Sequence, residues 1–87
     1  MTIESDLEAA ILQLARARGP GKSICPSEAA KAVGQGRGVD WHGLMQPARR
    51  AAVRLALEGR AVILRKGKPV DPTDFRGVYR ITVPHED

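Results

Sequence analysis

The chain has 87 residues, which fits one domain, and its 43% hydrophobic and 28% charged residues are ordinary for a globular protein. No apolar run approaches the ~18 residues of a transmembrane helix, and the acidic start MTIESDLE is unlike a signal peptide. The lone cysteine, Cys25, excludes an internal disulfide and a cysteine-based zinc cage. We therefore expect a cytoplasmic protein that is not an enzyme and needs no cofactor or metal.

The formal net charge is +4, and it is unevenly distributed. Residues 1–43 carry five basic and five acidic side chains, whereas residues 44–87 carry nine basic and five acidic ones. A basic half indicates an anionic partner, with nucleic acid as the first candidate. The alternative is a solvated surface that is simply rich in arginine.

The first predicted helix covers residues 2–18, where apolar residues recur at three- and four-residue spacing. Its N-cap is either Thr2 or Ser5, and Gly19-Pro20-Gly21 ends it. Ser23-Ile24-Cys25 predicts a brief strand. A second helix is predicted over residues 26–33, with Cys25 at the cap and Pro26 in the first position. The three glycines in residues 34–38 predict a loop.

The third helix is predicted over residues 45–58, because Pro47 is tolerated only in a first turn. A short turn precedes it. Arg50 and Arg54 lie opposite its apolar side, on a face that we expect to lack the Asn, Gln, Ser and Thr that often read bases.

The remaining chain predicts a β-hairpin over residues 61–83, with a wing loop at residues 66–77 and a frayed end at His85–Asp87. The fold class is therefore α+β, mainly α. We expect a single winged helix–turn–helix domain over residues 1–87, with three helices followed by a C-terminal β-hairpin wing.

Several segments resemble a known family of small, mostly bacterial proteins, catalogued as domain of unknown function 3253. The most specific are ICPSE at residues 24–28, GKPVDP at residues 67–72 and FRG at residues 75–77. The resemblance covers nearly the whole chain and implies a winged-helix-like fold. It implies no catalytic residues.

Basic residues on the third helix and the wing form the main candidate site, since guanidinium groups suit phosphate oxygens and guanine edges. The candidate nucleic-acid-binding residues are Arg49, Arg50, Arg54, Lys66, Lys68 and Arg76, with Arg80 on the strand that follows. Two structural alternatives remain. Arg54 could pair with Glu58, and Arg76 could pair with Asp71 or Asp74 to rigidify the loop.

The leading function is duplex DNA binding by a small transcriptional regulator or accessory factor, which could act as a homodimer. The alternative is a protein–protein interaction module for an acidic partner, and neither reading involves a membrane.

A third, distant hypothesis is a redox or catalytic role for Cys25 at a helix N-terminus, with His42 nearby. Packing is the structural alternative for Cys25. Trp41 is expected to anchor the third helix, although it could also stack on a base. His42 and His85 lack the spacing of metal ligands.

Overall fold

The computed structural model describes residues 2–19 and 21–84 and contains three helices and a small antiparallel sheet. The helices are α1 (Ile3–Arg18), α2 (Pro26–Arg37) and α3 (Met45–Leu57), with a single 3₁₀ turn at Trp41–Leu44 before α3. The strands are β1 (Val62–Arg65), β2 (Lys68–Pro69) and β3 (Arg80–Thr82). This α+β arrangement is consistent with a winged-helix-like fold, as the sequence predicts. The predicted frayed end, His85–Asp87, lies outside the described residues.

Local capping explains where α1 and α2 begin. Thr2 is the N-cap of α1, and its Oγ1 accepts a hydrogen bond from the Ser5 amide at 3.0 Å. Cys25 is the N-cap of α2, and Pro26 occupies the first helical position, where its missing N–H costs nothing. The Cys25 amide donates to Oε2 of Glu28 at 2.7 Å. These bonds satisfy amide groups that a helix N-terminus leaves without an internal partner.

Helix α2 runs to Arg37, so the predicted end at residue 33 and the predicted loop at residues 34–38 are wrong. Gly34 has a tertiary reason to be glycine. A Cβ atom there would lie 2.9 Å from the carbonyl oxygen of Val39 and 3.2 Å from Cα of Trp41. The C-cap that ends the helix after Arg37 is Gly38, whose φ of 70° is in the left-handed region. Gly34 therefore permits a close backbone crossing within the helix, and only Gly38 ends it.

The sheet has the order β2-β1-β3, and both outer strands run antiparallel to β1. It differs from the predicted hairpin with an open loop at residues 66–77, because β2 forms inside that loop. Lys66 and Gly67, with φ of 52° and 79°, make a two-residue turn that joins β1 to β2. The chain then returns through residues 70–79 to pair β3 with the other side of β1.

The predicted brief strand at residues 23–25 is reduced to one bridge. The backbone groups of Ile24 and Ile81 exchange hydrogen bonds of 2.8 and 2.9 Å.

The core lies between the helices and the inner face of the sheet. Ile63 and Ile81, which are paired across β1 and β3, point inward, whereas Leu64 and Arg80 lie on the outer face. Leu7, Ile11 and Leu55 supply the largest fully buried helical side chains. The described residues bury no polar or charged residue in this core.

Candidate nucleic-acid interface

Arg50 and Arg54 lie on the exposed face of α3, as their spacing predicts. Both side chains are more than half exposed, at 60% and 67%. Arg50 pairs with Glu4 of α1, and Nε of Arg54 lies 3.8 Å from Oε2 of Glu58. Ion pairs this exposed contribute little to stability, typically ~0–1 kcal/mol. Both guanidinium groups can therefore change partners at small cost.

Gln46 extends this exposed face by one helical turn toward the N-terminus of α3. The expectation that the face lacks an amide side chain is therefore wrong. Gln46, Arg50 and Arg54 are spaced four residues apart. This spacing is the sequence signal that predicts Gln46 on the same helix face as the two arginines.

Arg49 is adjacent in sequence but faces a different part of the molecule. Its Nη2 donates to the carbonyl oxygen of Phe75 at 2.7 Å, and its guanidinium carbon lies 3.9 Å from the Phe75 ring centroid. The guanidinium also lies 5.7 Å from the ring centroid of Tyr79. Arg49 thus fastens loop 70–79 to α3, and the structure does not group it with Arg50 and Arg54.

Loop 70–79 is shaped by its own turn chemistry. The Asp71 carboxylate accepts hydrogen bonds from the Thr73 amide at 2.9 Å and the Thr73 hydroxyl at 2.7 Å. The hydrogen bond from the Thr73 backbone amide is the main reason that the pKa of Asp71 lies below its ordinary value. Phe75 is buried and pins the loop to the core.

The expected pairing of Arg76 with Asp71 or Asp74 does not form. Within residues 2–19 and 21–84, Arg76 makes no ion pair and is exposed. Its charge is therefore open to an external anion.

Lys66 and Lys68 flank the tip of the β1–β2 turn. Both are exposed, and neither makes an ion pair in the described part of the chain. The turn projects two ammonium groups from one end of the sheet. Four of the six candidate residues make no ion pair with a described acidic group: Lys66, Lys68, Arg76 and Arg49, of which Arg49 is engaged with Phe75 instead.

A groove of about 340 Å³ lies next to this turn and contains basic residues that the candidate set omits. Its lining includes Ser23, Leu64, Arg65, Lys66, Val78 and Arg80. The sequence patterns predict no role for Arg65, and they place Arg80 only on the strand that follows the wing. Strand alternation predicts the exposed position of Arg80. Successive side chains in a strand point to opposite faces, so Arg80 lies on the outer face when Ile81 is buried.

Cys25 is part-buried, and the hydroxyl of Ser27 lies 3.0 Å from its Sγ. The backbone amide of Cys25 donates a hydrogen bond to the Glu28 carboxylate. This hydrogen bond from the Cys25 amide is the main reason that the pKa of Glu28 is lowered. Arg18, which pairs with Glu28 at 2.6 Å, lowers the pKa further. The arrangement is accounted for by helix capping.

Trp41 packs against the core at the turn before α3, as expected of an anchor, and it stacks on His42 with ring centroids 3.9 Å apart. His42 is exposed, and its Nδ1 lies 2.7 Å from Asp40. No group of three or more His, Cys, Asp or Glu side chains in the described ranges is placed to hold a metal ion. None of the helices described is long and apolar enough to cross a membrane.

Three helices and a small antiparallel sheet define a small α+β protein, an arrangement consistent with a winged-helix-like fold. A family model described as protein of unknown function (DUF3253) matches residues 4–84, so the chain belongs to that family. A search of the curated proteins finds no match to this chain.

Proposed function

We propose that this winged-helix-like protein binds duplex DNA and acts as a small transcriptional regulator or accessory factor. The observation that carries the proposal is the set of exposed wing cations, Lys66, Lys68 and Arg76, which make no ion pair with a described residue. Exposed cations left without internal partners favour an external polyanion.

Helix α3 supplies the second half of the proposed interface. Arg50 and Arg54 keep acidic partners, but these surface pairs are weak enough to exchange for phosphate oxygens or guanine edges. Gln46 adds an amide group that can contact an adenine edge. In winged helices the third helix can enter the major groove while the wing contacts the backbone.

Phosphate contacts should dominate this interaction, because five of the six proposed contact residues are cationic and only Gln46 is an uncharged reader. We therefore expect modest sequence preference and a steep dependence on salt. Each lost phosphate contact should reduce the slope of log affinity against log salt by about 0.9.

An NMR titration with a mixed-sequence duplex at low and high salt tests the proposal. Shifts should concentrate at residues 46–54 and 66–76 and weaken as salt rises. The double variant Arg50→Ala/Arg54→Ala should lower both affinity and salt slope. A charge-matched control, Arg16→Gln/Lys31→Gln, removes two exposed cations from α1 and α2 and should change neither by more than a small amount.

Absence of binding even at low salt would reject the DNA proposal. The same basic surface would then be examined for an acidic protein partner. Equal losses in the helix variant and the control would also reject the proposed interface, because they would show only a general charge effect.

A further inference from the structure

We propose that the groove beside the β1–β2 turn, lined by Ser23, Arg65, Lys66 and Arg80, is a phosphate-binding site. This inference deepens the nucleic-acid function and rests on it only for the source of the phosphate, which is either the DNA backbone or a free phosphate ester.

Ser23 holds Arg80 in place. Nε of Arg80 donates to the Ser23 hydroxyl oxygen at 2.6 Å, and Nη2 donates to the Ser23 carbonyl oxygen at 2.9 Å. These two bonds orient the guanidinium and leave Nη1 without a partner among the described residues. A guanidinium that is already fixed loses less rotamer freedom when it binds an anion.

Arg65 lines the groove, and its guanidinium packs on the backbone of Gly77, the residue before the lining residue Val78. A Cβ atom on Gly77 would lie 2.9 Å from Nη1 of Arg65, so the guanidinium packs directly against the exposed backbone. Gly77 also has a φ of +83°, a conformation that other residues rarely adopt. Within the described chain, Arg65 makes no side-chain hydrogen bond or ion pair, and its N–H groups remain available.

Lys66 adds a third cation from a backbone conformation that is unusual for lysine. Its φ of +52° is the one positive value among the described residues other than glycine. Asparagine and glycine are the common residues at such a turn position, so a lysine there is not explained by turn geometry. The presence of lysine at this position is explained if its ammonium group binds a ligand.

The charge of the groove favours phosphate over a carboxylate. Three cations line it, and none of the lining residues is acidic. Glu28 is close enough for Arg80 to lower its pKa, but its carboxylate oxygens are held by Arg18 and the Cys25 amide. Guanidinium forks match the geometry of phosphate oxygens, and a dianion balances more of the charge. Leu64 and Val78, which is 84% exposed, provide apolar walls for the body of an ester.

Pyrophosphate, titrated at constant ionic strength against ¹⁵N-labelled protein, tests the site directly. Saturable shifts should appear at the Arg65 and Arg80 Nε–H resonances and at the Lys66 and Gly67 amides. Lys66→Asn should weaken binding about tenfold, the loss expected when a charge-assisted hydrogen bond is removed. Asparagine suits the positive φ, so this variant keeps the turn. Arg65→Gln should have a similar effect, and the matched control Arg16→Gln should have almost none.

A second titration with duplex DNA identifies the source of the phosphate. If Lys66→Asn and Arg65→Gln weaken both pyrophosphate and DNA, the groove receives the DNA backbone. If they weaken pyrophosphate alone, the phosphate-site proposal holds and its ligand is a free phosphate ester. Pyrophosphate binding without any DNA binding would leave the groove standing and reject the DNA proposal.

Two results would overturn the groove proposal. One is the absence of saturable pyrophosphate shifts, and the other is the same shifts with acetate at matched ionic strength. If wild-type protein then still bound DNA, and the groove variants bound it equally well, DNA binding would stand on α3, Lys68 and Arg76, and Lys66 would be removed from the proposed interface.

Discussion

The guanidinium of Arg49 and the ring of Phe75 are in direct contact, with 3.9 Å from the guanidinium carbon to the ring centroid. The same side chain donates to the Phe75 carbonyl oxygen at 2.7 Å. One residue of α3 thus binds both the backbone and the side chain of loop 70–79. The position of the loop that leads into β3 therefore depends on a helix residue 26 positions earlier in the chain.

Replacing Arg49 should destabilise the protein because it removes a charge-assisted hydrogen bond and a cation–π contact together. Arg49→Ala should lower the free energy of unfolding by about 2 kcal/mol. Urea denaturation measures this value. Arg54→Ala, which breaks only an exposed ion pair, should cost less than about 0.5 kcal/mol. Equal costs in the two variants would contradict the role assigned to Arg49.

The two helical glycines Gly34 and Gly36 should respond in opposite directions to alanine. A methyl group at position 34 would meet the backbone of Val39 and Trp41, so Gly34→Ala should destabilise by about 1–3 kcal/mol. Position 36 has open space around it, so Gly36→Ala should stabilise by about 0.5 kcal/mol through helix propensity. Thermal unfolding of both variants measures the effects. A gain in both would show that α2 can move away from the crossing segment.

The hydroxyl of Tyr79 is buried and has no hydrogen-bond partner in the described structure. Tyr79→Phe retains the ring and removes this unsatisfied group, so it should raise the free energy of unfolding by about 1 kcal/mol. Chemical denaturation at neutral pH tests the prediction. A clear loss of stability would show that the hydroxyl has a partner in solution.

Alkaline pH gives a second test of Tyr79. Burial raises the pKa of Tyr79 above its ordinary value of 10.0, although the charge of Arg49 opposes the shift. Above pH 10 the unfolded chain loses this proton while the folded protein keeps it, so stability should fall as pH rises. Tyr79→Phe should remove the part of the stability loss above pH 10 that comes from ionisation of Tyr79. Because the chain has a single tyrosine, tyrosinate absorbance reports this group alone, and ionisation of native protein at the ordinary pKa would contradict its burial.

Glu28 should make stability depend on acidic pH. The Cys25 amide and Arg18 lower the pKa of Glu28 below 4.5, so its contribution is present above that pH and is lost as pH falls through the lowered value. Glu28→Gln should cost about 1 kcal/mol near neutral pH, as expected for a weakened cap, and should flatten the acid limb. Denaturation across this pH range measures both. Glu58→Gln, which affects only surface ion pairs, is the control, and an identical profile in the two variants would contradict the prediction.

Sequence patterns predicted the features of this molecule that depend on neighbouring residues. The start of α2 is an example, since Cys25, Pro26 and Glu28 form the cap within four positions. The end of α2 was missed because Gly34 is required by a backbone crossing from Val39 to Trp41, which no local pattern reveals. Strand β2 was missed because it has only two residues and one of them is Pro69.

The candidate site also contains residues that local sequence patterns predict and residues whose position depends on long-range contacts. Arg50 and Arg54 follow from helical spacing, and their exposure is as expected. The role of Arg49 depends on where loop 70–79 returns to α3, which is a long-range contact. Arg65 and Arg80 line one groove, but they lie on different strands, and only the tertiary pairing of β1 with β3 brings those strands side by side. Local periodicity therefore identifies the helical half of the surface and leaves the sheet groove hidden.

The hydrogen-bonded bridge between Ile24 and Ile81 has a consequence for the kinetics of folding. It joins residues 57 positions apart, whereas each helix forms from contacts within its own segment. Closing so long a loop costs entropy before any strand pairing repays it. The helices should therefore assemble first and β3 should dock late, so that Ile81→Val mainly accelerates unfolding, while core substitutions in α1 and α3 also slow refolding.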